Sequence, residues 1–311
     1  MTESAATLPV TSAAITSVLN DVSHQAFPAG TLYVVATPIG NLGDISLRAL
    51  HVLSMVEAIA CEDTRNTGHL LARYGLTKKL IAAHQHNERE VAGKLIARLQ
   101  AGERIALVSD AGTPTVSDPG ARIVEAVQDA GLRVMPLPGA SAALCALSAG
   151  GMVNDQFHFV GFLPAKSGQR KAVLSGLRAH KATLVLYEAP HRIMESIDDL
   201  AAVFEPSRQI VIARELTKLF EEIHRCRLCE AAAWLAADAN RQKGEFVIAL
   251  EGALVNSDSD RVEADRILSI LLAECSVSQA AALAARITGQ KKNAMYDQAL
   301  QLERRRNPAP D

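Results

Sequence analysis

Aromatic side chains are scarce in this 311-residue chain, which has seven Phe, four Tyr and one Trp. So few rings leave little surface for bases to stack on, which argues against a fold that grips single strands that way. An excess of positive charge is missing too. The formal net charge is −2, so the protein is not coated for indiscriminate nucleic-acid binding, although local basic patches stay open. No apolar run approaches the roughly 20 residues that a bilayer span needs. Residues 1–29 show no basic segment ahead of an apolar stretch, so no secretory signal is expected. They are read as a flexible extension of a cytoplasmic protein. Nor is there a disulfide framework, because the five cysteines (Cys61, Cys145, Cys226, Cys229, Cys275) are odd in number and scattered. Cys226-Arg227-Leu228-Cys229 beside His224 invites a metal, yet a structural zinc wants four ligands and no second close pair exists. No metal is expected; the pair reads as two cysteines where a strand meets a helix.

What is present is ordinary globular material, 49% apolar and 21% charged, with enough length for two domains and sizeable cores. Short apolar runs bounded by turn residues, at Leu32–Ala36, Ala58–Cys61, Leu80–Ala83, Ile105–Val108 and Val134–Leu137, read as strands. Between them Leu47–Val56, Thr64–Tyr74, Glu90–Gln100 and Ala121–Ala130 have helical spacing. This βαβα order predicts a largely parallel sheet covered on both faces. Pro136-Leu137-Pro138-Gly139-Ala140-Ser141 reads as a hinge, with Ser141 as N-cap of a helix over Ala142–Ala149. A second half repeats the theme at Phe157–Gly161, Leu184–Tyr187, Ile210–Ala213, Ile223–Cys226 and Phe246–Leu250. Ile223 follows Ala213 so closely that an antiparallel pair and a mixed sheet are expected. The predicted division is 30–138 and 139–253 for two α/β domains. A polar linker at Asn256–Asp260 and a helical tail make up residues 254–311. Val277 to Asn293 has the spacing of a helix-turn-helix, and a helical hairpin packed on the body explains it equally well.

Chemistry gathers at strand exits, where an open α/β sheet offers loops and free helix N–H groups. Thr37-Pro38-Ile39-Gly40-Asn41-Leu42-Gly43-Asp44 follows the first strand and Ser109–Gly120 follows the fourth. The glycine spacing is wrong for a dinucleotide fingerprint. Cys61-Glu62-Asp63-Thr64-Arg65 and His84-Gln85-His86 end the second and third strands; Asp63 or Thr64 could simply cap a helix. Tyr187-Glu188-Ala189-Pro190-His191-Arg192 and Arg214-Glu215-Leu216-Thr217-Lys218 repeat the pattern in the second half. Lys166, Arg170, Lys171, Arg178 and Lys181 form a basic stretch that suits a phosphate backbone or a solvated helix face.

Taken in order, the first loop, Glu62–Arg65, Ser109–Gly120, Pro138–Ala142, Phe159–Pro164 and Tyr187–Arg192 resemble the ribosomal RNA small subunit methyltransferase I family. That family lies within the tetrapyrrole methylase superfamily. The resemblance runs from about Gly30 to the carboxyl end. It implies a two-domain tetrapyrrole-methylase-like α/β fold, a parallel N-terminal sheet, a mixed second sheet and a C-terminal helical tail. It also implies a homodimer with S-adenosylmethionine held in a cleft, and 2′-O-methylation of a cytidine ribose in the decoding region of 16S rRNA. The substrate would be the small ribosomal subunit or its precursor, with no membrane and no DNA involved. Carried over by motif, the cofactor side comprises Pro38, Gly40, Asp110, Ala111, Gly112, Thr113, Val116, Ser141, Ala142 and Tyr187. Tetrapyrrole relatives carry Gly-Asp-Pro where this chain has Gly112-Thr113-Pro114, so main-chain groups and Thr113 are expected to take the missing carboxylate's place. Glu62, Asp63, His84 and Glu188 are the rim candidates for a base, with Glu62 and Asp63 as the catalytic assignment, and positioning with proton loss to water is the alternative. Arg65, Arg192, Arg214 and Lys218 are expected on substrate phosphate or ribose. Two rivals remain: a sibling that methylates a small molecule such as a tetrapyrrole, and a non-catalytic RNA-binding protein that kept the fold.

Overall fold

The computed structural model describes residues 12–85, 87–253 and 257–306. Compactness divides the chain into two units, Met1–Arg178 with Ala182–Leu250, and Ala179–Lys181 with Glu251–Asp311. Both sheets belong to the first unit, where two α/β domains split near residue 138 were expected.

The first half runs α1 (Ser12–Ser23), β1 (Thr31–Val35), α2 (Leu47–Met55), β2 (Ala58–Cys61), α3 (Thr64–Arg73), β3 (Leu80–Ala82), α4 (Glu88–Gln100), β4 (Ile105–Val108), α5 (Ala121–Asp129) and β5 (Arg133–Leu137). Its strands are parallel in the order β3-β2-β4-β1-β5. Because side chains alternate along a strand, each strand feeds two cores. Tyr33, Val35, Ile59 and Val108 meet Val52, Leu53 and Leu71 of α2 and α3 on one face. Leu32, Ala60, Ile105 and Leu107 meet Leu95, Leu99, Ile123 and Val127 of α4 and α5 on the other. β1 and β4 are neighbours, yet β1 leads to α2 and β4 to α5, on opposite faces. Their loops therefore part and leave a crevice at the carboxyl edge, the topological switch point where such sheets bind ligands.

The expected extension over residues 1–29 is partly ordered structure. Helix α1 occupies Ser12–Ser23, Val22 is buried, and the Phe27 ring stands 6.2 Å from Tyr33 and 4.9 Å from His51. Residues 1–11, and likewise His86 and residues 254–256, lie outside the described residues.

The second half continues with α6 (Ala142–Gly150), β6 (Phe157–Phe162), α7 (Ser167–Leu177), β7 (Thr183–Glu188), α8 (Ile193–Val203), β8 (Gln209–Arg214), β9 (Glu222–Arg227), α9 (Leu228–Ala236) and β10 (Phe246–Leu250). Its sheet, β6-β7-β10-β8-β9, is mixed: β6 and β7 are parallel and the other pairs antiparallel. Cys226 lies in β9 and Cys229 opens α9, and no group of ligands able to hold a metal exists among the described residues. Arg170 corrects the reading of a basic face: it is fully buried, donating to Asp199 at 2.6 Å.

The second unit packs α10 (Ser257–Glu274), α11 (Val277–Thr288) and α12 (Lys292–Arg306) around Ala264, Leu268, Ala281, Ala284, Met295 and Ala299. Helix α10 already begins at Ser257, inside the stretch read as a linker. Gly289, at φ +71°, ends α11 in the left-handed conformation expected of it.

Helix α5 depends on a carboxylate borrowed from α4. Its N-cap is Gly120, which has no side chain, and the buried Glu88 accepts Gly120 N–H at 2.9 Å and Arg122 N–H at 3.2 Å instead. Glu88→Ala strands a buried donor, so unfolding should cost about 1–3 kcal/mol less, read as a lower urea midpoint at unchanged slope. Glu90→Ala, which breaks an exposed pair with Lys94, should not move the midpoint.

Candidate active site

The loops after β1 and β4 are sewn together. Thr37 N–H donates to Gly112 O at 2.9 Å and Gly112 N–H returns to Thr37 O at 3.0 Å. Thr37 Oγ1 donates to Ser109 O at 3.2 Å. Gly112 holds φ +80°, and a Cβ there would stand 3.3 Å from Ile39 Cγ2. Glycine at this position lets the β4 loop pass close beneath the β1 loop. At the hinge a Cβ on Gly139 would fall 2.7 Å from Ala36 Cβ, so the chain enters α6 pressed against the end of β1.

Around this seam lies a cavity of about 330 Å³, within the range of small-molecule sites. One wall is Ile39 with Ala111, Gly112, Thr113, Val116, Ser117 and Asp118. Ser141 and Ala142 close the bottom, and the second half supplies Phe162, Tyr187 to Pro190, Leu216 and Glu245 to Val247. Thr113 Oγ1 donates to Ala140 O at 3.0 Å, tying the β4 loop to the hinge. Ala143 N–H donates to Tyr187 Oη at 3.3 Å, and the Tyr187 ring stacks edge-on against Phe159 (5.0 Å) and Phe162 (5.6 Å). Burial lifts the Tyr187 phenol above its ordinary value, so it is a neutral hydroxyl at physiological pH.

Seven residues expected on the cofactor side therefore line one cavity: Ala111, Gly112, Thr113, Val116, Ser141, Ala142 and Tyr187. Pro38, Gly40 and Asp110 do not line it. Gly40 instead lets the β8–β9 loop close over β1, since a Cβ there would meet Lys218 Cγ at 2.5 Å. The Asp110 carboxylate accepts from Asp63 N–H (3.1 Å) and Asn66 Nδ2 (2.7 Å), bracing β2 against β4. Ser141 is the N-cap of α6, as expected, but its side chain makes no capping bond.

Every charged side chain on the wall is a carboxylate: Asp118, Glu188 and Glu245. Such a lining suits a cationic ligand and opposes polyphosphate, which needs positive partners. Glu188 is fully engaged, accepting from Ser196 Oγ and Ala189 N–H (2.8 Å) beside Arg192 at 3.3 Å. Glu245 pairs with Lys218 at 2.9 Å.

The expected bases separate in chemistry. Asp63 caps α3, accepting Arg65 N–H at 2.7 Å and the Arg65 guanidinium at 2.8 Å, which draws its carboxyl down to about 2. So acidic a group is a poor proton acceptor. Glu62 is shifted the other way, by burial first and then by the charges of Asp110 and Asp63.

Two expected substrate arginines turn inward. Arg192 Nη2 donates to Leu163 O (2.6 Å) and Pro164 O (3.1 Å), and Arg214 Nη1 to Asn240 O (3.0 Å) and Lys243 O (3.3 Å). Lys218 bridges Glu215 and Glu245. Arg65 alone of the four is open to solvent, with its side chain 84% exposed. Ser117, Asp118 and Glu245 are polar lining residues that the sequence reading passed over, although the first two lie within the loop singled out. The signal of that loop is a strained backbone, invisible in residue order. Among the described residues, the non-glycine positions at positive φ are Thr115, Ser117, Glu215 and Thr217. All belong to the two loops that meet at this cavity, and such strain concentrates at functional sites.

A family model for Tetrapyrrole (Corrin/Porphyrin) Methylases matches residues 31–232, and one for an RsmI C-terminal HTH domain matches residues 258–303. The chain is 51% identical over 275 residues to the ribosomal RNA small subunit methyltransferase I of Pseudomonas aeruginosa, covering 88% of this chain and 98% of that one. It is 50% identical over 272 residues to the protein of that name from Escherichia coli O157:H7, covering 88% and 95%. Among solved structures, the methyltransferase CobJ shares the fold at a TM-score of 0.54 and 20% identity, over 72% of this chain and 95% of that one.

Proposed function

This chain belongs to the ribosomal RNA small subunit methyltransferase I family of tetrapyrrole methylases, and on that premise we propose that it methylates small-subunit ribosomal RNA with S-adenosylmethionine. In its finer form the reading is 2′-O-methylation of a cytidine ribose in the decoding region of 16S rRNA. The cavity at the β1/β4 switch point carries it, with two cross-bridged loops, small residues and a cation-friendly wall. The named relatives, near half identical over most of the chain, support the substrate class.

The residues present fit the cofactor. Ala111, Gly112 and Ala142 leave room on the wall, and no Lys or Arg lines it to repel a sulfonium. When bound, S-adenosylmethionine supplies an electrophilic methyl group whose sulfonium charge disappears on transfer. Gly112, Thr113, Val116, Ser141 and Ala142 would hold it, largely through main-chain groups. Small residues and main-chain groups next to the sulfur make the better catalyst, because a tight anionic clamp there would favour the ground state over the transition state. Tyr187 and the phenylalanines flanking it fix the far side and exclude water. Orientation of a weakly acidic hydroxyl in line with the departing sulfur supplies much of the acceleration. Arg65, the exposed one of the four expected cations, is the residue proposed to meet an RNA phosphate.

The protein is proposed to act in the cytoplasm as a homodimer. No helix of the described residues is long and apolar enough to cross a membrane. The exposed apolar pair Leu219 (90% exposed) and Phe220 (66%) on the β8–β9 loop supports the homodimer reading.

Incubation with methyl-labelled cofactor and small ribosomal subunits from cells lacking this protein tests the reading. Label should appear in rRNA at a ribose 2′-oxygen, mapped by mass spectrometry. Label entering only a tetrapyrrole precursor would replace the substrate, and RNA binding with no calorimetric response to the cofactor would remove the enzyme.

A further inference from the structure

We propose that Asp118 is the proton acceptor of this site, taking the proton of the attacking hydroxyl as the methyl group is transferred. This rests on the methyl-transfer reading above and adds the residue that completes it.

The inference starts from what the other carboxylates are doing. Asp63 is spent on the α3 N-terminus and on Arg65. Asp110 holds Asp63 and Asn66. Glu188 is bound by Ser196, Ala189 and Arg192, and Glu245 by Lys218. Glu62 does not line the cavity. Asp118 does, and it forms no salt bridge among the described residues.

Its position is also held firmly. Upstream, Thr113 is tied to Ala140. Downstream, Gly120 N–H is fixed by the buried Glu88. In between, Ser117 sits at φ +63° with its Oγ where a Cβ on Gly161 would fall, 2.7 Å away. The β-bulge of β6 between Phe159 and Gly161 makes that approach possible. The carboxylate thus sits on a loop tied at both ends and lines the same cavity as the expected cofactor residues, where a general base has to be.

The surroundings tune it. Burial first, then the negative charge of Glu62, raise the Asp118 carboxyl to about 6; Ser109 pulls it down and Asp110 adds a further push upward. Tyr187, across the cavity from β7, is neutral at this pH. A base titrating near working pH is mostly ionised yet still basic enough to accept. The step balances without a further reactant. The hydroxyl oxygen forms the new O–C bond, the C–S bond breaks with its electron pair going to sulfur, and the hydroxyl proton passes to an Asp118 oxygen.

The test compares wild type with Asp118→Asn and Asp118→Glu. In the unloaded protein, carboxyl-carbon NMR should show an aspartate titrating at about 6 that is absent from D118N. Calorimetric affinity of D118N for S-adenosylmethionine should stay within about threefold of wild type, while single-turnover transfer to small subunits falls about 10²–10⁴-fold. Wild-type transfer should decline about tenfold per pH unit below that midpoint, a limb that D118N lacks. D118E, which keeps the charge, should recover part of the rate. D118N transferring at the wild-type rate, or retaining the acid limb, overturns the role of Asp118 alone. Wild type that labels no hydroxyl overturns the underlying reading, and the proposal with it.

Discussion

Gly112→Val should weaken S-adenosylmethionine binding by at least about fiftyfold, or roughly 2.3 kcal/mol, measured by calorimetry on folded protein. Three effects act together. The position holds φ +80°, where a β-branched residue is an outlier. A Cβ would already press on Ile39 Cγ2 at 3.3 Å, and the two Cγ atoms beyond it have either Ile39 or the cavity to enter. Rotating the backbone to escape would sacrifice both hydrogen bonds to Thr37, each worth about 1 kcal/mol. Either outcome moves the seam on which the cavity is built. Gly131→Val separates strain from site: its φ is +71°, but a Cβ there meets nothing within 4 Å. That variant should lose stability and keep its affinity. Gly112→Val binding within threefold of wild type would show that the seam does not form the cofactor site.

Arg170→Ala should destabilise the protein by about 3–5 kcal/mol, the largest single effect on folding expected here. The Arg170 guanidinium is fully buried between α7 and α8, donating to Asp199 at 2.6 Å, Ala165 O at 3.3 Å and Glu195 at 3.3 Å. Asp199 itself is 7% exposed and also receives Ser167 Oγ at 2.9 Å. Removing the guanidinium leaves that carboxylate buried with only Ser167 and a half-exposed Lys171. Burial would raise the Asp199 carboxyl, but hydrogen bonds from Arg170, Ser167 and Lys171 outweigh it and hold it below the ordinary value. Its contribution is therefore complete above the unfolded value of about 3.9 and disappears as pH falls through the lower folded value. Arg170→Ala should accordingly lose more stability at pH 7 than at pH 2 in urea titrations. Arg178→Ala, which breaks a pair more than half exposed on the arginine side, should change little. Equal losses in the two variants would mean that the buried network is not what holds α7 to α8.

Much of this could be read from residue order, and the exceptions have physical causes. Strands Ala58–Cys61, Ile105–Val108 and Phe246–Leu250 run as expected, because unbroken apolar runs between turn residues have few other places to go. Helix ends shifted by a residue or two, as at α4, which begins at Glu88 rather than Glu90. The resemblance named Ala111, Gly112, Thr113, Val116, Ser141, Ala142 and Tyr187 together, and the structure brings those seven to one cavity. Arginine was the recurrent error. Arg170, Arg192 and Arg214 look like solvated or RNA-facing cations, since nothing local to them says which carbonyl or carboxylate will cover them.

By itself, the order of residues determined the alternation of strand and helix, the parallel first sheet, the mixed second one and the family, because periodicity and turn chemistry act over a few positions. Tertiary structure decided which charges stay free. Asp63 and Asp118 are both carboxylates at strand exits, yet one meets a helix end with an arginine and is drawn down to about 2, while the other meets burial and Glu62 and rises to about 6. A side chain's proton affinity is set by what folds against it, and for Asp118 the largest of those charges, Glu62, arrives from the loop after β2, far off in the chain.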